Sequence, residues 1–409
     1  MILSTIEKRT RLLIRKLIYN SLAKTLLSLI YWVDKYHKVV VLQFPSCSIG
    51  RSLAVFREFF SEMEATYDRE PLILACFDRN IANHFLASFI KTRVYKVPTR
   101  IGEALLSVLN EDQANTILYR ERRGHFYPFS GRTSKVIDKE FARFVSDAAL
   151  DFPSGVLKVP YVALCVREEP EDSKESDDNF YRNSRFVDWQ NYVEEVAQIH
   201  GVNFVRMGRY SRTTFESQFL FDYSQSMIKS DANDFVIFQN CEFAISTVTG
   251  LDSFASHLFR KPVLALNAPL MGTDLSLTRR FMLPKILVSR DSGRVISVDQ
   301  ILDQHLFSVE STSEFFKLGI LLYDNPTSIS VQATSDFVKN NYFIKELPQN
   351  LFCDEGKMLS KARLQYLQSQ FSIHDLKRSE GQDLELVMTQ FPSYWPNIRN
   401  VGLEIQELY

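Results

Sequence analysis

Three groups of residues have the types and spacing to hold a phosphate-rich ligand. Arg167 closes the apolar run YVALCV, and Arg206 closes the run VNFV. Ser246, Thr247, Thr249 and Gly250 follow a third run, FAI, and lead into a helix-like stretch ending near Arg260. A guanidinium binds phosphate through paired N–H donors, each charge-assisted contact being worth roughly 1.5–3 kcal/mol. Hydroxyls and a glycine at the mouth of a helix add donors, unpaired backbone N–H groups and the positive end of the helix dipole. Together these features describe a cradle for a diphosphate. Each also has a plainer reading. Thr249-Gly-Leu-Asp252 has the form of a capping box, which would satisfy the helix end by itself, and Asp252 would repel an anion unless turned away. A charge closing an apolar run is commonly a solvated strand terminus.

Two further stretches carry polar chemistry. EEPEDSKESDDNFYRNS (168–184) follows Arg167; its carboxylates, Glu168 and Asp178 among them, show no regular metal-ligand spacing, and Pro170 and its serines suit a loop. Tyr181, Arg182 and Asn183 at its end would return to the mouth of the cleft. YRERRGHFYPFSGR (119–132) interleaves four arginines with aromatic residues and contains His125, the histidine best placed to face a cleft. Its rings would stack on a sugar or base, or tuck into the core under a surface loop. Gly50, in SCSIGRSL, is a weak glycine turn. GxSxG, HExxH, GxGxxG after a strand and GxxxxGK[ST] are all absent, which counts against hydrolase, dinucleotide and P-loop chemistry. The five cysteines are scattered without CxxC or His/Cys spacing, so we expect buried thiols and no structural zinc.

These residues must be positioned by an alternating scaffold. KVVVLQF (38–44) and PLILACF (71–77) are β-branched runs, each followed by a helical pattern, and RVYKVP follows the second. The pattern restarts after residue 155 with YVALCVRE, the amphipathic FVDWQNYVEEVAQIHG, VNFVRMG, DFVIFQNCEFAIST and PVLALN, the last two continuing the strand series. Strands separated by helices predict parallel sheets, in which ligands bind outside the strands' carboxyl ends. The scaffold is therefore α/β, with a domain over 38–155, a second over 156–330, and a mainly helical segment over 331–409. The first 37 residues mix Leu, Ile and Trp32 with Lys8, Arg9, Arg11, Arg15, Lys16 and Lys24. They lack 18 uninterrupted apolar residues and the pattern of a signal peptide. They predict a basic amphipathic helix, lying on an anionic membrane surface or packed on the protein's own core. A net charge of −1 argues against a dedicated nucleic-acid binder.

Read in order, these segments resemble a family of bacterial glycosyltransferases found in polysaccharide and surface-glycan gene clusters. The resemblance rests on YVALCVRE…NFYRNS, the strand ending Arg206–Gly208, Asp222–Ser224, Asp234–Cys241, Ser246–Leu251 and Lys261–Asn267, over roughly residues 155–330. The arrangement is more distantly similar to fucosyltransferases. It implies the GT-B architecture, two Rossmann-like domains facing each other, and transfer of a sugar from a nucleoside-diphosphate donor to a glycan or lipid-linked acceptor. It further implies that Arg167, Arg206, Gly208 and the Ser246–Gly250 turn hold the diphosphate. Tyr181, Arg182, Asn183 and Gly50 would then line the donor or acceptor cleft. Two departures stand out: Cys165 replaces the usual histidine, and Glu168 stands where aspartate is commoner. The base is thus left among Glu168, Asp178 and His125. The DxD motif of the other large glycosyltransferase fold is not evident, so we expect no metal and no cofactor beyond the donor; the expected enzyme is cytoplasmic, and peripheral on the inner membrane where residues 1–37 lie on its surface. Two other readings fit the same scaffold: a nucleotide-sugar epimerase, or an inactive membrane-peripheral scaffold protein.

Overall fold

The computed structural model describes residues 2–44, 59–60, 71–109, 118–120, 135–148, 159–168, 180–184, 189–208, 216–259, 261–269, 280–309 and 311–339. The chain divides into two compact units, the first comprising residues 1–124 and 131–144, the second 125–130 and 145–409.

The first unit opens with α1 (Ile2–Asp34), which turns directly into β1 (Val39–Phe44); the Asp34 carboxylate accepts the Val39 N–H at 2.7 Å and so fixes that entry. β1 pairs in parallel with β2 (Leu72–Phe77) and with β4 (Leu118–Arg120), and β2 carries β3 (Tyr95–Val97) on its other side. The helices α2 (His84–Lys91) and α3 (Thr99–Val108) connect these strands. Asn83 caps α2 by accepting the Leu86 N–H at 2.8 Å. α3 lies close on β2 because Gly102 faces Cys76, where an added Cβ would meet the sulfur at 3.1 Å. α1 packs along α3, burying Ala23, Leu27 and Ile30, and Tyr19 lies under the Arg100 guanidinium. A further helix, α4 (Lys135–Ala148), brings Phe141 and Phe144 against Phe89 of α2.

The second unit is built on a six-stranded sheet, wholly parallel: β5 (Tyr161–Cys165), β6 (Asn203–Arg206), β7 (Leu220–Phe221), β8 (Ala244–Ser246), β9 (Val263–Ala268) and β10 (Arg280–Pro284), in the spatial order β10-β9-β8-β5-β6-β7. β5, β8 and β9 are buried throughout, which explains their continuous apolar sequences. Helix α5 (Gln190–His200) joins β5 to β6 and buries Tyr192, Val193, Val196 and Ala197, one helical stripe. It stops at Gly201, whose φ of 64° suits a residue without Cβ and whose N–H reaches the Ala197 carbonyl at 2.8 Å. An antiparallel pair, β11 (Ile286–Ser289) with β12 (Ile320–Tyr323), follows the sheet.

One expected strand is not one. DFVIFQNC belongs to α6 (Asp231–Asn240), capped by the Ser230 hydroxyl on the Asn233 N–H, and the strand begins only at Ala244. α6 buries Phe235, Val236, Ile237 and Phe238 in succession, so its middle turn is apolar all round and those four residues have the continuous pattern of a buried strand. The expected helix over RSLAVFREFFSEM and the C-terminal one over KARLQYLQSQF lie outside the described residues, apart from residues 59–60 and from α7 (Thr327–Lys339), which includes SDFVK.

Candidate functional site

Because the six strands are parallel, all their carboxyl ends meet one edge of the second unit's sheet. The ends of β5 and β8 are tied there by the Arg167 N–H, which donates to Thr247 Oγ1 at 2.8 Å. The Arg167 carbonyl accepts the Ser184 N–H at 2.8 Å, and its Nε donates to Asn183 Oδ1 at 3.2 Å. Arg182 reaches across to donate to the Val248 carbonyl at 2.9 Å. Lys285, just past β10 and 5% exposed, donates from Nζ to the Asn183 carbonyl at 2.8 Å and to Asp324 Oδ1 at 2.5 Å. Arg167 and Lys285, from distant parts of the sequence, thus both hold one short turn, residues 180–184, and Arg182 reaches from that turn to Val248, at the edge where such sheets take ligands. Arg167, Arg182 and Asn183 are brought together as the sequence suggested. Lys285 was missed, although it ends an apolar run, FMLP, just as Arg167 and Arg206 end theirs.

Arg206 sits differently. Its side chain is 2% exposed, with NH2 at 2.5 Å from Glu168 Oε1 and NH1 at 2.9 Å from Asp222 Oδ2. Ser224 Oγ in turn donates to the other Asp222 oxygen. A guanidinium engaged by two carboxylates is not open to a diphosphate unless those contacts break, so this arrangement makes Arg206 the clamp of Glu168 and Asp222. It also engages Glu168, one of the three expected base candidates; the other two, Asp178 and His125, lie outside the described residues, as does Gly50. Gly208, after β6, has φ 155°, a conformation open to glycine but rare for other residues.

The Ser246–Gly250 turn also differs in detail from the expectation. The hydroxyls of Ser246 and Thr247 are fully buried and point inward: Ser246 Oγ donates to Asp252 Oδ2 at 2.7 Å and accepts the Thr249 N–H at 3.2 Å, and Thr247 accepts from Arg167. Asp252 is turned into the protein, which removes it as a source of repulsion at the surface. Thr249 accepts the Leu251 N–H at 3.3 Å, a local turn and not the reciprocal capping box. The unusual backbone belongs to Val248, at φ 60°, and not to Gly250. A β-branched residue there carries strain of order 1–3 kcal/mol, held in place here by Arg182 on its carbonyl. The helix that follows is brief and winds as a π-turn over Phe254–Leu258, so its dipole is weaker than a regular helix would supply. Positive charge at this edge therefore comes from side chains. Tyr181, expected in the cleft, is buried against Phe315 with ring centroids 5.7 Å apart.

Burial also sets the titration of this region. Asp234 on α6 has its pKa raised to about 7 by desolvation, against the opposing hydrogen bond from Tyr223 and the charge of Lys229. Cys165, where the related pattern has histidine, is held well above the usual thiol range by burial and then by nearby Asp252. It is an inert thiol, as are buried Cys76 and Cys241, whose pKa values burial raises to about 12. Among the described residues no group of three or more His, Cys, Asp or Glu is placed to hold a metal ion.

No family model matches the chain, and no curated protein matches its sequence. Among solved structures the chain is similar to the ADP-heptose lipopolysaccharide heptosyltransferase II of E. coli, at 11% identity and a TM-score of 0.36, over 61% of this chain and 91% of that one. It is similar to the dodecameric iron-containing heptosyltransferase TibC, from enterotoxigenic E. coli, at 12% identity and a TM-score of 0.34, over 59% of this chain and 61% of that one. The UDP-GlcNAc 2-epimerase of Methanocaldococcus jannaschii is similar at 13% identity and a TM-score of 0.26, over 65% of this chain and 68% of that one.

Proposed function

We propose that the protein is a GT-B-type glycosyltransferase that moves a sugar from a nucleoside-diphosphate donor to a glycan or lipid-linked acceptor. The observation that carries this reading is the convergence of Arg167, Arg182 and Lys285 on the carboxyl edge of a parallel sheet, beside the strained turn at Val248. A glycosyl transfer needs positive charge where the diphosphate departs, held in place before the reaction begins. In this assignment Arg167 and Arg182 face the diphosphate, exposed Gly250 lets it approach the backbone, and Lys285 holds the turn that presents both arginines. Arg206 positions Glu168 and Asp222. Side-chain cations rather than a divalent ion then neutralise the leaving group, and added chelator leaves turnover unchanged. Nucleotide sugars are cytoplasmic metabolites, so the reaction is cytoplasmic, and a lipid-linked acceptor brings it to the inner membrane's cytoplasmic face.

The test is thermal stabilisation by UDP, GDP, ADP, dTDP and CMP, each with and without Mg²⁺. A ligand at 100 times its dissociation constant stabilises by about 2.7 kcal/mol. We expect one diphosphate to stabilise the wild type and to fail with Arg167→Ala. If no nucleotide shifts the transition, or if Arg167→Ala responds like the wild type, the reading falls.

A further inference from the structure

We propose that the outward face of α1 is a docking surface for an anionic lipid bilayer. The helix is apolar on two sides. Ala23, Leu27 and Ile30 pack inward, while Ile18 (53% exposed), Leu22 (47%), Leu29 (53%) and Trp32 (59%) lie in solvent. Residues 18, 22, 29 and 32 are spaced by 4, 7 and 3, so successive side chains return to one stripe of the helix. Tyr36, just beyond the helix and 74% exposed, extends the stripe and meets the Trp32 ring edge-on at 5.6 Å. An apolar strip, interrupted by exposed Thr25 and ending in Trp and Tyr, is costly to leave in water, and those two side chains favour the level of lipid headgroups.

Charge identifies the occupant. Residues 1–38 contain eight Lys and Arg (8, 9, 11, 15, 16, 24, 35 and 38) against Glu7 and Asp34, a formal +6. The whole chain carries −1, so the other 371 residues carry −7. The segment that presents this apolar face thus carries a net positive charge, opposite in sign to the rest of the chain. Lys24 on the helix and Lys35 just beyond it are both exposed, and their long stems let the ammonium groups reach anionic headgroups. No helix among the described residues is long and apolar enough to cross a membrane, so α1 would lie in the plane of the interface. This inference does not depend on the proposed chemistry.

The experiment is flotation of the full-length protein with two vesicle types, phosphatidylcholine alone and phosphatidylcholine with about one-third phosphatidylglycerol, a fraction that gives a strongly negative surface. It is paired with light scattering of the lipid-free protein. The wild type should float with the anionic vesicles only and be released by salt. The triple variant Leu22→Ser/Leu29→Ser/Trp32→Ser should bind at least about tenfold more weakly while keeping the wild-type melting temperature, since all three side chains are solvent-exposed. A second variant, Lys24→Gln/Lys35→Gln, guards against misfolding of the first and should also weaken flotation. Equal binding to both vesicle types, or flotation that neither variant weakens, would overturn the proposal. So would a wild-type dimer that the triple variant dissolves, because a second copy would then cover the face.

Discussion

Both units set helices against a parallel sheet, yet they treat charge in opposite ways. Beyond β2 in the first unit, Arg79 pairs with Glu103 at 2.7 Å with side chains 74% and 45% exposed. At the corresponding edge of the second unit, Arg206 pairs with Glu168 at 2% and 9%, and Lys285 with Asp324 at 5% and 24%. A surface pair forms and breaks at little cost, whereas burying one demands desolvation that the mutual attraction need not recover. Charge retained in a buried edge despite that cost points to a function there. The second unit is accordingly where we place the donor.

The comparison is most sharply tested by the arginines. Arg206→Met takes the buried guanidinium away from part-buried Glu168 and Asp222, and should destabilise by about 3–5 kcal/mol in urea unfolding. Arg79→Met should leave the midpoint where it is. If both variants unfold like the wild type, the second unit's edge is not built around its charges.

A pH titration extends the same contrast to Asp234. Its folded-state pKa of about 7 lies above the usual aspartate value of 3.8, so the native state holds a proton that the unfolded chain has released. Stability from this group is complete below the unfolded pKa and is lost as pH rises through about 7. The slope approaches about 1.4 kcal/mol per pH unit, for a total on the order of 4 kcal/mol. Asp234→Asn should flatten stability over that window and melt higher than the wild type at pH 8. A wild type equally stable at pH 5 and pH 8 would refute the assignment.

Nucleotide binding gives a smaller difference. Arg182→Ala removes one charge-assisted contact and releases the Val248 carbonyl, so affinity for the diphosphate should fall by a factor of about 10 to 150, the equivalent of about 1.5–3 kcal/mol. Arg79→Ala in the first unit should leave that affinity unchanged. Titration calorimetry with the diphosphate chosen by the thermal panel measures both. An equal loss in the two variants would mean that general positive charge, and not this edge, attracts the ligand.

Much of this was legible in the sequence because strand ends are marked by composition. YVALCV, VNFV and PVLALN read as strands, and a charge or hydroxyl closing such a run must lie at a carboxyl edge once the sheet is parallel. What sequence does not disclose is which way a polar side chain turns when it gets there. Ser246 and Thr247 look the same as exposed donors, but one satisfies Asp252 and the other the Arg167 N–H. Arg167 and Arg206 both close apolar runs in the sequence, but Arg206 stands in register with Leu164 inside the sheet, where Glu168 and Asp222 engage it, while Arg167 lies two residues beyond β5. The strand expected over DFVIFQ is a helix for a related reason, since a helical turn buried all round shows no amphipathic period.

The smallest prediction concerns elements that should not differ between the units. Asn83 caps α2 in the first, accepting the Leu86 N–H at 2.8 Å. In the second, Ser297 caps the short helix Val298–Asp303 in a full capping box, accepting the Gln300 N–H at 3.1 Å while Gln300 returns a bond to the Ser297 N–H at 2.7 Å. Asn83→Ala and Ser297→Ala each remove one such acceptor, and each should cost about 1 kcal/mol. The two sites differ in burial, which makes the comparison informative. Asn83 is 4% exposed and its amide nitrogen has no partner among the described residues, so Asn83→Ser, which keeps the acceptor and deletes that donor, should cost less than Asn83→Ala. Matching losses of about 1 kcal/mol at both caps would confine the difference between the units to the carboxyl edge. A cap in the second unit worth several times the one in the first would instead mean that the whole unit is more tightly coupled, and that its buried charges are one symptom among several.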